Sequence, residues 1–295
     1  MRKIVIAGAS GFIGNRMTAY FKEMGWVVKT IGRTEGDATW NDQPSLIRTL
    51  EDAHAVVNLA GKSVNCRFTA SNVEALIASR VDTTRAIGDA IALCKNPPPV
   101  WVNASGASIY REAVINANTE QSPSDGLGTM ADVARKWEQA LLQCNTPRTK
   151  KVALRISLVL GQGGGVYPTF KMLVRLLQGG AQGSGKQMMS WIHIEDLVQL
   201  VNAIITSENP PQIVNAAAPY PLSNKDFMQC FRESMGVSIG IPAPAVFIRL
   251  GTSMLGVDSE LVLRGMHVVS ENAQQIHFVF QYPELADALN QLAKQ

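Results

Sequence analysis

One glycine-rich loop near the N-terminus constrains the fold of this chain more than any other feature. The run Gly8-Ala9-Ser10-Gly11-Phe12-Ile13-Gly14 follows apolar residues 3–7 and opens a helical pattern. In this context one glycine makes a tight turn, another lets the backbone approach a pyrophosphate, and the last permits close packing of helix on strand. The alternative is a glycine turn without a ligand. The loop predicts a first βαβ unit that binds a dinucleotide through Gly8, Ser10, Gly11, Phe12, Ile13 and Gly14.

The next 150 residues repeat the pattern of that first unit. Short β-branched runs predict strands at 3–7, 26–31, 55–59, 100–104 and 152–158. Helical patterns lie between them, at about 12–24, 46–50, 71–94 and 130–144. Strands that alternate with helices in this way are typical of right-handed parallel βαβ units. We therefore expect an α/β Rossmann fold, with a doubly wound and mostly parallel sheet.

The character of the sequence changes after residue 160. Glycine clusters at 161–165 and 179–185, and then six prolines between 210 and 244, interrupt shorter elements. We expect residues 1–160 to form an NADP-binding Rossmann domain, to which parts of 190–220 return. Residues 161–295 are expected to form a smaller, substrate-side and C-terminal α/β domain, closed by an amphipathic helix at about 283–294.

Composition excludes several classes of function. The chain has 295 residues, of which 46% are hydrophobic, and a net charge of +3. This charge gives no reason to expect binding to nucleic acid or to a membrane. The four cysteines form no C-x-x-C pair, so no metal site is expected. Because no apolar run approaches a membrane span of about 20 residues, a cytoplasmic protein is expected.

The end of the second predicted strand distinguishes between the two nicotinamide cofactors. An NAD enzyme usually places Asp or Glu here to bind the ribose 2′-hydroxyl, but this chain has Gly32 and then Arg33. A guanidinium can pair with a 2′-phosphate, so the sequence favours NADP(H). In the alternative interpretation Arg33 is a solvated loop charge, and Glu35 or Asp37 serves the ribose.

Several further segments carry a family resemblance along almost the whole chain. The first three are Asn58-Leu59-Ala60-Gly61, the run from Ser105 to Tyr110, and Ser190-Trp191-Ile192-His193-Ile194-Glu195-Asp196. Together they resemble the extended short-chain dehydrogenase/reductases. Four more segments resemble the atypical "epimerase family protein" branch of YfcH type: Gly183-Ser184-Gly185-Lys186-Gln187, Trp191-Ile192-His193, Val214-Asn215-Ala216 and Tyr282-Pro283-Glu284-Leu285.

This resemblance implies an NADP-dependent oxidoreductase related to nucleoside-diphosphate-sugar epimerases, with a C-terminal domain of its own. It implies that Leu59, Ala60 and Gly61 form the loop that passes under the cofactor. Arg80 matches an arginine that the branch brings to NADP, and would otherwise be an ordinary polar helix residue. Val159 falls where the backbone meets the nicotinamide end, and the substrate-side candidates are Lys186 and His193.

The usual catalytic set of the resembled family is missing. Extended short-chain enzymes use Ser, Tyr and Lys, in which the phenol transfers the proton. Alignment on Trp137-Glu138 places Met130 at the tyrosine position, Ala134 at the lysine position and Gly106 at the serine position. The only candidates nearby are Ser105, Ser108 and Tyr110.

Two other patterns suggest catalytic groups but are better explained otherwise. Tyr167 and Lys171 have the family's Tyr-x-x-x-Lys spacing, yet they lie too far from Ser105 along the chain and enclose Pro168, so a coincidence is expected. His193 and Asp196 could form a catalytic pair, although a structural role at a strand-to-helix junction is favoured.

Two functions stay open at this stage. The first is a hydride-transferring enzyme that acts on a small carbonyl compound or a nucleotide sugar, either without a tuned phenol or with another proton donor. The second is a non-catalytic NADPH-binding sensor or scaffold. Either could be a monomer or a homodimer, and a fold alone does not decide between them.

Overall fold

The structure of the protein is a computed structural model that describes residues 1–294. Its main sheet has seven strands, all parallel, in the order β11-β6-β5-β4-β1-β2-β3. The strands of the whole chain are β1 (Lys3–Ala7), β2 (Val27–Gly32), β3 (Ala38–Thr39), β4 (Ala55–Asn58), β5 (Val100–Gly106), β6 (Lys150–Ile156), β7 (Leu158–Gly161), β8 (Gly164–Gly165), β9 (Met188–Met189), β10 (Trp191–His193), β11 (Ile213–Ala216) and β12 (Leu222–Ser223).

Helices cover both faces of this sheet. They are α1 (Phe12–Glu23), α2 (Gln43–Leu50), α3 (Ala70–Leu93), α4 (Thr129–Gln143), α5 (Tyr167–Arg175), α6 (Ile194–Thr206), α7 (Asn224–Ser234), α8 (Ala245–Met254), α9 (Glu260–Leu263), α10 (Asn272–Gln275) and α11 (Leu285–Lys294), with a 3₁₀ turn at Ala107–Ile109. One apolar core joins α1 and α6 to the sheet, and another joins α2 and α3 to its opposite face. The predicted doubly wound α/β fold is confirmed.

Most of the predicted strands match the observed ones within two residues, but the fifth is divided. The predicted strand at 152–158 contains Ser157, where the chain leaves the main sheet. The Ser157 amide and hydroxyl both donate to the Ala216 carbonyl, at 3.1 and 2.7 Å. The Leu158 amide donates instead to Ser190. Ser157 thus supplies both hydrogen bonds to the Ala216 carbonyl at the end of β11. The residues after it are free to leave the main sheet, and β7 pairs with β10 in a second, smaller sheet.

The C-terminal part of the chain builds a separate apolar core. Here α5, α7 and α11 pack together around Phe170, Phe227 and Phe231, whose rings lie 5.2–5.3 Å apart. Two segments from beyond residue 160 nevertheless complete the main fold, because β11 pairs with β6 and α6 packs on α1. The division of the chain at residue 160 stays a prediction.

The strand order determines where a ligand can bind. The chain runs outward from β1 to β2 and β3, and then crosses back to β4 on the other side of β1. In open parallel sheets, ligands bind outside the carboxyl ends of the strands at such a switch point. The loops after β1 and β4 therefore face the same crevice. Among the helices of residues 1–294, none is long and apolar enough to cross a membrane.

Candidate cofactor cleft and reaction site

The glycine loop turns tightly between β1 and α1. The Gly8 amide donates to the Ile31 carbonyl at 3.1 Å, and the Gly11 amide donates to the Gly8 carbonyl at 3.1 Å. Gly8 has a φ of +79°, and a Cβ there would lie 2.9 Å from the backbone of Leu59 and Ala60. Only glycine lets the loops after β1 and β4 approach so closely. The two loops thus form one continuous floor of the crevice.

The other two glycines of the loop serve different needs. A Cβ on Gly14 would lie 2.2 Å from the Gly8 carbonyl oxygen, so this glycine is required for packing. Gly11 is exposed, and its Cβ would meet only the Gly8 oxygen at 3.4 Å. The open space above Gly11 leads to the first turn of α1, whose amides have no partner within the helix and which contains no acidic residue. This combination is suited to a phosphate group.

The remaining residues predicted in the loop lie on its rim and beneath it. Ser10 is exposed at the rim, whereas Ile13 packs against the core under α1. The Phe12 ring lies against the glycines at 161, 164 and 165, where added Cβ atoms would approach it within 2.5–2.9 Å. The same contact reaches Val159, whose carbonyl would lie 2.4 Å from a Cβ on Gly165. Phe12 therefore joins the start of α1 to β7.

The end of β2 has no room for the acidic residue typical of NAD enzymes. A Cβ on Gly32 would lie 2.1 Å from the Glu35 carbonyl oxygen, so no side chain fits there. Asp37 accepts hydrogen bonds from the Lys29 ammonium at 2.7 Å and from the Thr30 amide at 2.8 Å. Desolvation alone would raise the pKa of Asp37. The hydrogen bonds from Lys29 and Thr30, together with the Lys29 charge, outweigh it and hold this pKa below its ordinary value. Arg33 is exposed beside this turn.

A buried amide fixes the loop after β4. The Asn58 side chain donates to Asn103 at 2.8 Å and accepts from the Ala60 amide at 3.1 Å. Thr84 on α3 accepts from Asn58 and also from the Trp137 indole, at 3.2 and 3.0 Å. Leu59 and Ala60 are therefore held by a rigid polar cluster. The sequence showed Asn58 only as part of a motif and gave no sign of Thr84 or Asn103 as its partners.

Arg80 is a buried cation that no carboxylate balances. Its side chain is about nine-tenths buried, with the guanidinium against Gly61 and 5.0 Å from the Trp137 ring. One nitrogen donates to the Leu76 carbonyl at 3.0 Å, and no ion pair to Arg80 exists within residues 1–294. Burial lowers the pKa of this guanidinium to about 10. A guanidinium in this position is suited to an anionic or polar ligand that enters beside Gly61.

The positions of the missing catalytic set come together at the end of β5. A Cβ on Gly106 would lie 3.0 Å from the Ser108 hydroxyl oxygen and 3.9 Å from the Ala134 methyl group. The Ser108 hydroxyl donates to the Met130 carbonyl at 3.2 Å. Ser108 and Met130 are both partly exposed here. Ser108 is thus the only one of the three sequence candidates that borders this space with a partly exposed side chain.

The other two candidates lie in a buried ionic cluster. The Ser105 hydroxyl donates to Glu138 at 2.7 Å, and Glu138 forms a bidentate ion pair with Arg155 at 2.7 and 2.8 Å. Arg155 also donates to the Tyr110 hydroxyl at 2.6 Å, which in turn donates to Asn215 at 2.9 Å. Burial raises the pKa of Tyr110. Both hydroxyl groups are therefore engaged inside the protein.

The structure does not bring together the two substrate-side candidates from the sequence, Lys186 and His193. Lys186 is exposed. His193 is buried, where it accepts the Glu195 amide at the start of α6 and lies 3.1 Å from Gln291. Asp196 does not contact His193, because its oxygens accept the amides of Gln281 and Tyr282 at 2.7 and 3.0 Å. The side chains at 193 and 196 anchor the C-terminal segment, as a structural role requires.

Tyr167 and Lys171 lie on α5, away from the crevice. The Tyr167 ring packs on Phe231 in the C-terminal core, and the Lys171 ammonium lies 5.5 Å from the centre of the Tyr167 ring. No shared role with Ser105 follows from this position.

The environment of His193 predicts a pH dependence of stability. Burial lowers the pKa of His193, although Gln291 and the Glu195 charge oppose the shift, and its two hydrogen bonds suit a neutral ring. Below about pH 6.5 the unfolded chain binds a proton that the folded one excludes, so stability falls as pH falls. We expect the melting temperature to decrease between pH 7.5 and 5.5, and His193→Gln to reduce that slope. An unchanged slope in calorimetry would contradict the assignment, with exposed His54→Gln as the control.

A cavity of about 800 Å³ opens next to the reaction site. It lies between the start of α4 and the α8–α9 segment, and its lining includes Arg249, Glu260 and Arg264. Glu260 accepts the amides of Thr129 and Met130 at 3.0 and 3.1 Å, which caps α4 from the C-terminal segment. Sequence reasoning missed Glu260, because nothing in its local sequence relates it to a helix 130 residues earlier.

Comparison with known protein families accounts for most of the chain. The family described as "NAD dependent epimerase/dehydratase family" matches residues 4–217. A second family, described as "Domain of unknown function (DUF1731)", matches residues 243–292. The second match contains α8, α9 and α10 together with most of α11. No group of three or more His, Cys, Asp or Glu side chains that could hold a metal ion was found in the part of the chain that the structure describes.

Individual proteins match the chain from end to end. The "Epimerase family protein SDR39U1" of Mus musculus is 29% identical, over 97% of this chain and 98% of the mouse protein. The Arabidopsis thaliana homologue, described as chloroplastic, is 29% identical over 97% of this chain and 85% of its own length. The crystal structure of human epimerase family protein SDR39U1 (isoform 2) with NADPH superposes with a TM-score of 0.91, at 27% identity and 99% coverage of both chains.

Proposed function

Since this chain belongs to the NAD-dependent epimerase/dehydratase family, we propose that it binds NADP(H) and is an oxidoreductase or a nucleotide-sugar epimerase-like enzyme without the usual Tyr–Lys pair. The observation that carries the cofactor proposal is Arg80, a buried guanidinium without a carboxylate partner, at the loop that meets the glycine turn. A buried cation of this kind is costly unless a ligand supplies its partner. The human relative crystallised with NADPH supports the same choice.

The residues around the crevice fit the cofactor in three places. Gly11 and the first turn of α1 would receive the pyrophosphate. Arg33 would pair with the 2′-phosphate, since Gly32 admits no acidic side chain and Asp37 is held by Lys29 and Thr30. Leu59, Ala60, Gly61 and Arg80 would line the floor, and Val159 the far end.

The reaction would take place beside Ser108. NADP(H), when bound, would supply or accept a hydride. The chain would contribute orientation in the cavity between α4 and the α8–α9 segment, where a small carbonyl compound or a nucleotide sugar would fit. The Ser108 hydroxyl is the candidate donor at this point, because it is partly exposed and would only have to turn away from the Met130 carbonyl, whereas Ser105 and Tyr110 are buried against Glu138, Arg155 and Asn215.

Replacing Arg33 tests the cofactor choice. A hydrogen bond to a charged phosphate contributes roughly 1.5–3 kcal/mol, which is about ten- to a hundredfold in affinity. Arg33→Ala is therefore expected to weaken NADPH binding by that factor and to spare NADH, as measured by calorimetry. Equal losses for both cofactors would show that Arg33 does not contact the 2′-phosphate. Tighter binding of NADH than of NADPH by the unaltered protein would reverse the choice.

Turnover on nucleotide sugars tests the proposal about the reaction. Positioned general-acid catalysis is worth about a hundred- to ten-thousandfold, and Met130 and Ala134 cannot supply it. We expect epimerisation of UDP-glucose to be slower by that order than in relatives with the Tyr–Lys pair, and Ser108→Ala to reduce any residual rate. Rapid turnover that Ser108→Ala and Tyr110→Phe both leave unchanged would contradict this interpretation of the site. Chromatographic detection of UDP-galactose gives the rate.

A sensor or scaffold is the second candidate function. The observation that favours it is the buried cluster, which removes Ser105 and Tyr110 from the crevice and leaves Ser108 as the only one of the three candidate hydroxyls that borders it. Tight NADPH binding without turnover in either a nucleotide-sugar or a small-carbonyl screen would support it.

The cytoplasmic location stays a prediction.

A further inference from the structure

The helix α8 presents apolar side chains to solvent. Val246, Phe247, Leu250 and Met254 are each at least 60% exposed, and no residue of α8 is buried. At 100° per residue these four positions form one stripe about 100° wide. In a surface helix such a stripe normally faces the core. Here it faces away from the protein.

The opposite side of α8 already faces the protein, since Ala245, Ile248 and Thr252 are half-buried there, and polar contacts tie one edge of the helix to a neighbouring loop. Arg67, in the loop before α3, donates to the Ser253 carbonyl. Ser253 and Arg249 line the space that separates α8 from that loop. At the end of the segment, Asp258 accepts the Phe68 amide at 3.4 Å. Because these contacts fix the orientation of α8, turning the apolar stripe toward the protein would require breaking them.

The segments on either side of α8 also expose apolar side chains. Ile239 and Ile241 precede α8, Leu255 follows it, and all three are more than half exposed. The Ile241 amide donates to the Leu177 carbonyl, and Leu177 is itself 43% exposed. Monomeric soluble proteins rarely expose a continuous apolar surface of more than a few hundred Å². A surface of this kind marks a contact with another molecule.

We propose that the α8 stripe is the surface through which two copies of this chain pair. Burying one fully exposed Val, Leu, Ile, Phe or Met side chain removes roughly 60–120 Å² of apolar surface from water. Because the seven side chains of this surface are 55–81% exposed, they would supply roughly 300–550 Å² per copy, a large part of the about 800 Å² of a stable interface. The side chains that form this surface are Ile239, Ile241, Val246, Phe247, Leu250, Met254 and Leu255.

The charges of α8 favour a second copy over the other possible occupants. Helices that lie on a membrane carry several Lys or Arg residues on the polar face, whereas Arg249 is the only charged residue of α8. The stripe itself contains no charge that would recognise an acidic or a basic partner. Positions 246, 250 and 254 form an i, i+4, i+8 ridge, which packs into the grooves of an identical helix. In a two-fold pair the same stripe faces itself, and Arg249 lies outside it.

Sedimentation velocity over a range of concentrations tests the proposal. The unaltered protein is expected to be a dimer at tens of micromolar. Each of the variants Leu250→Asp and Phe247→Asp introduces one negative charge into the stripe of each copy, and therefore two into the dimer interface. Each variant is expected to raise the dissociation constant of the dimer at least about a hundredfold. Val279→Asp changes a valine that is 82% exposed away from α8 and should leave the dimer intact. A cooperative melting transition and an unchanged far-ultraviolet circular dichroism spectrum would show that the variants fold, although loss of the dimer is expected to lower their melting temperature.

Three results would overturn the proposal. The first is a protein that stays monomeric at several hundred micromolar. The second is a dimer that resists both α8 variants but dissociates when Ile77→Asp is introduced in the groove between α3 and α4. The third is a monomer that floats with vesicles of phosphatidylglycerol and loses this property in Leu250→Asp, since that would identify a membrane as the occupant. None of these measurements depends on NADPH or on a substrate.

Discussion

Gly11→Val is expected to abolish the stabilisation of this protein by NADPH and to leave its fold nearly unchanged. The backbone of Gly11 has a φ of −77°, which valine can adopt, and a Cβ there meets only the Gly8 oxygen at 3.4 Å. The added side chain occupies the space through which a pyrophosphate would reach the α1 amides. A ligand at a hundred times its dissociation constant adds about 2.7 kcal/mol to stability, a shift of several degrees in melting temperature.

Two matched glycine variants separate this effect from general damage. Gly14→Val places a Cβ 2.2 Å from the Gly8 oxygen, so it should unfold the loop and lower the melting temperature with or without NADPH. Gly251→Val in α8 meets nothing within 4 Å and should retain the full shift. If Gly11→Val keeps the full NADPH-dependent shift in melting temperature, the pyrophosphate does not bind at this loop. No shift at millimolar NADPH in the unaltered, folded protein would reject the cofactor itself.

The largest loss of stability is expected from Glu138→Ala. Glu138 and Arg155 are both buried, and burial alone would lower the pKa of Arg155, but the hydrogen bond and charge of Glu138 raise it instead. Removing Glu138 leaves the Arg155 charge without its carboxylate and the Ser105 hydroxyl without its acceptor. Breaking a buried pair costs about 3–5 kcal/mol, which corresponds to a decrease in melting temperature of roughly 10 °C.

A second pair and a double variant provide the controls. Asp125→Ala removes an exposed partner of Arg111 and should leave the melting temperature nearly unchanged, because an exposed ion pair is screened by solvent. Glu138→Leu combined with Arg155→Met removes both charges and should recover much of the loss, because an apolar pair of similar volume is often neutral. If Glu138→Ala and Asp125→Ala cost the same, the buried cluster is not a centre of stability. Calorimetry in the absence of NADPH measures all three variants.

Local patterns were sufficient to predict the parallel sheet and the glycine turn. Apolar runs such as Ile4 to Ala7 must be buried on both faces, and Gly8 follows directly with a φ that few other residues tolerate. Contacts between distant residues could not be predicted in this way. Nothing in their own segments marks Glu138 and Arg155 as a buried pair, and only the pairing of β5 with β6 brings Ser105 beside Arg155.

The same limit applies to the candidate catalytic residues. Tyr110 was a reasonable candidate from its place after β5, because sequence patterns do not show that Arg155 and Asn215 will surround its hydroxyl. That Met130 and Ala134 stand at the catalytic positions, by contrast, is a prediction that rests on the alignment alone. The structure brings Ser108 to the Met130 carbonyl, a contact across 22 residues that the alignment did not predict.

The late position of β11 in the chain affects how the protein emerges from the ribosome. The strand β6 ends at Ile156, but its outer neighbour is formed by Ile213–Ala216. During synthesis β6 must therefore remain an open sheet edge while some sixty further residues are added, and such edges can pair with those of other nascent chains. Asn215, which accepts from Tyr110, arrives with the same strand. Closure of the edge and completion of the buried cluster are thus a single late event in folding.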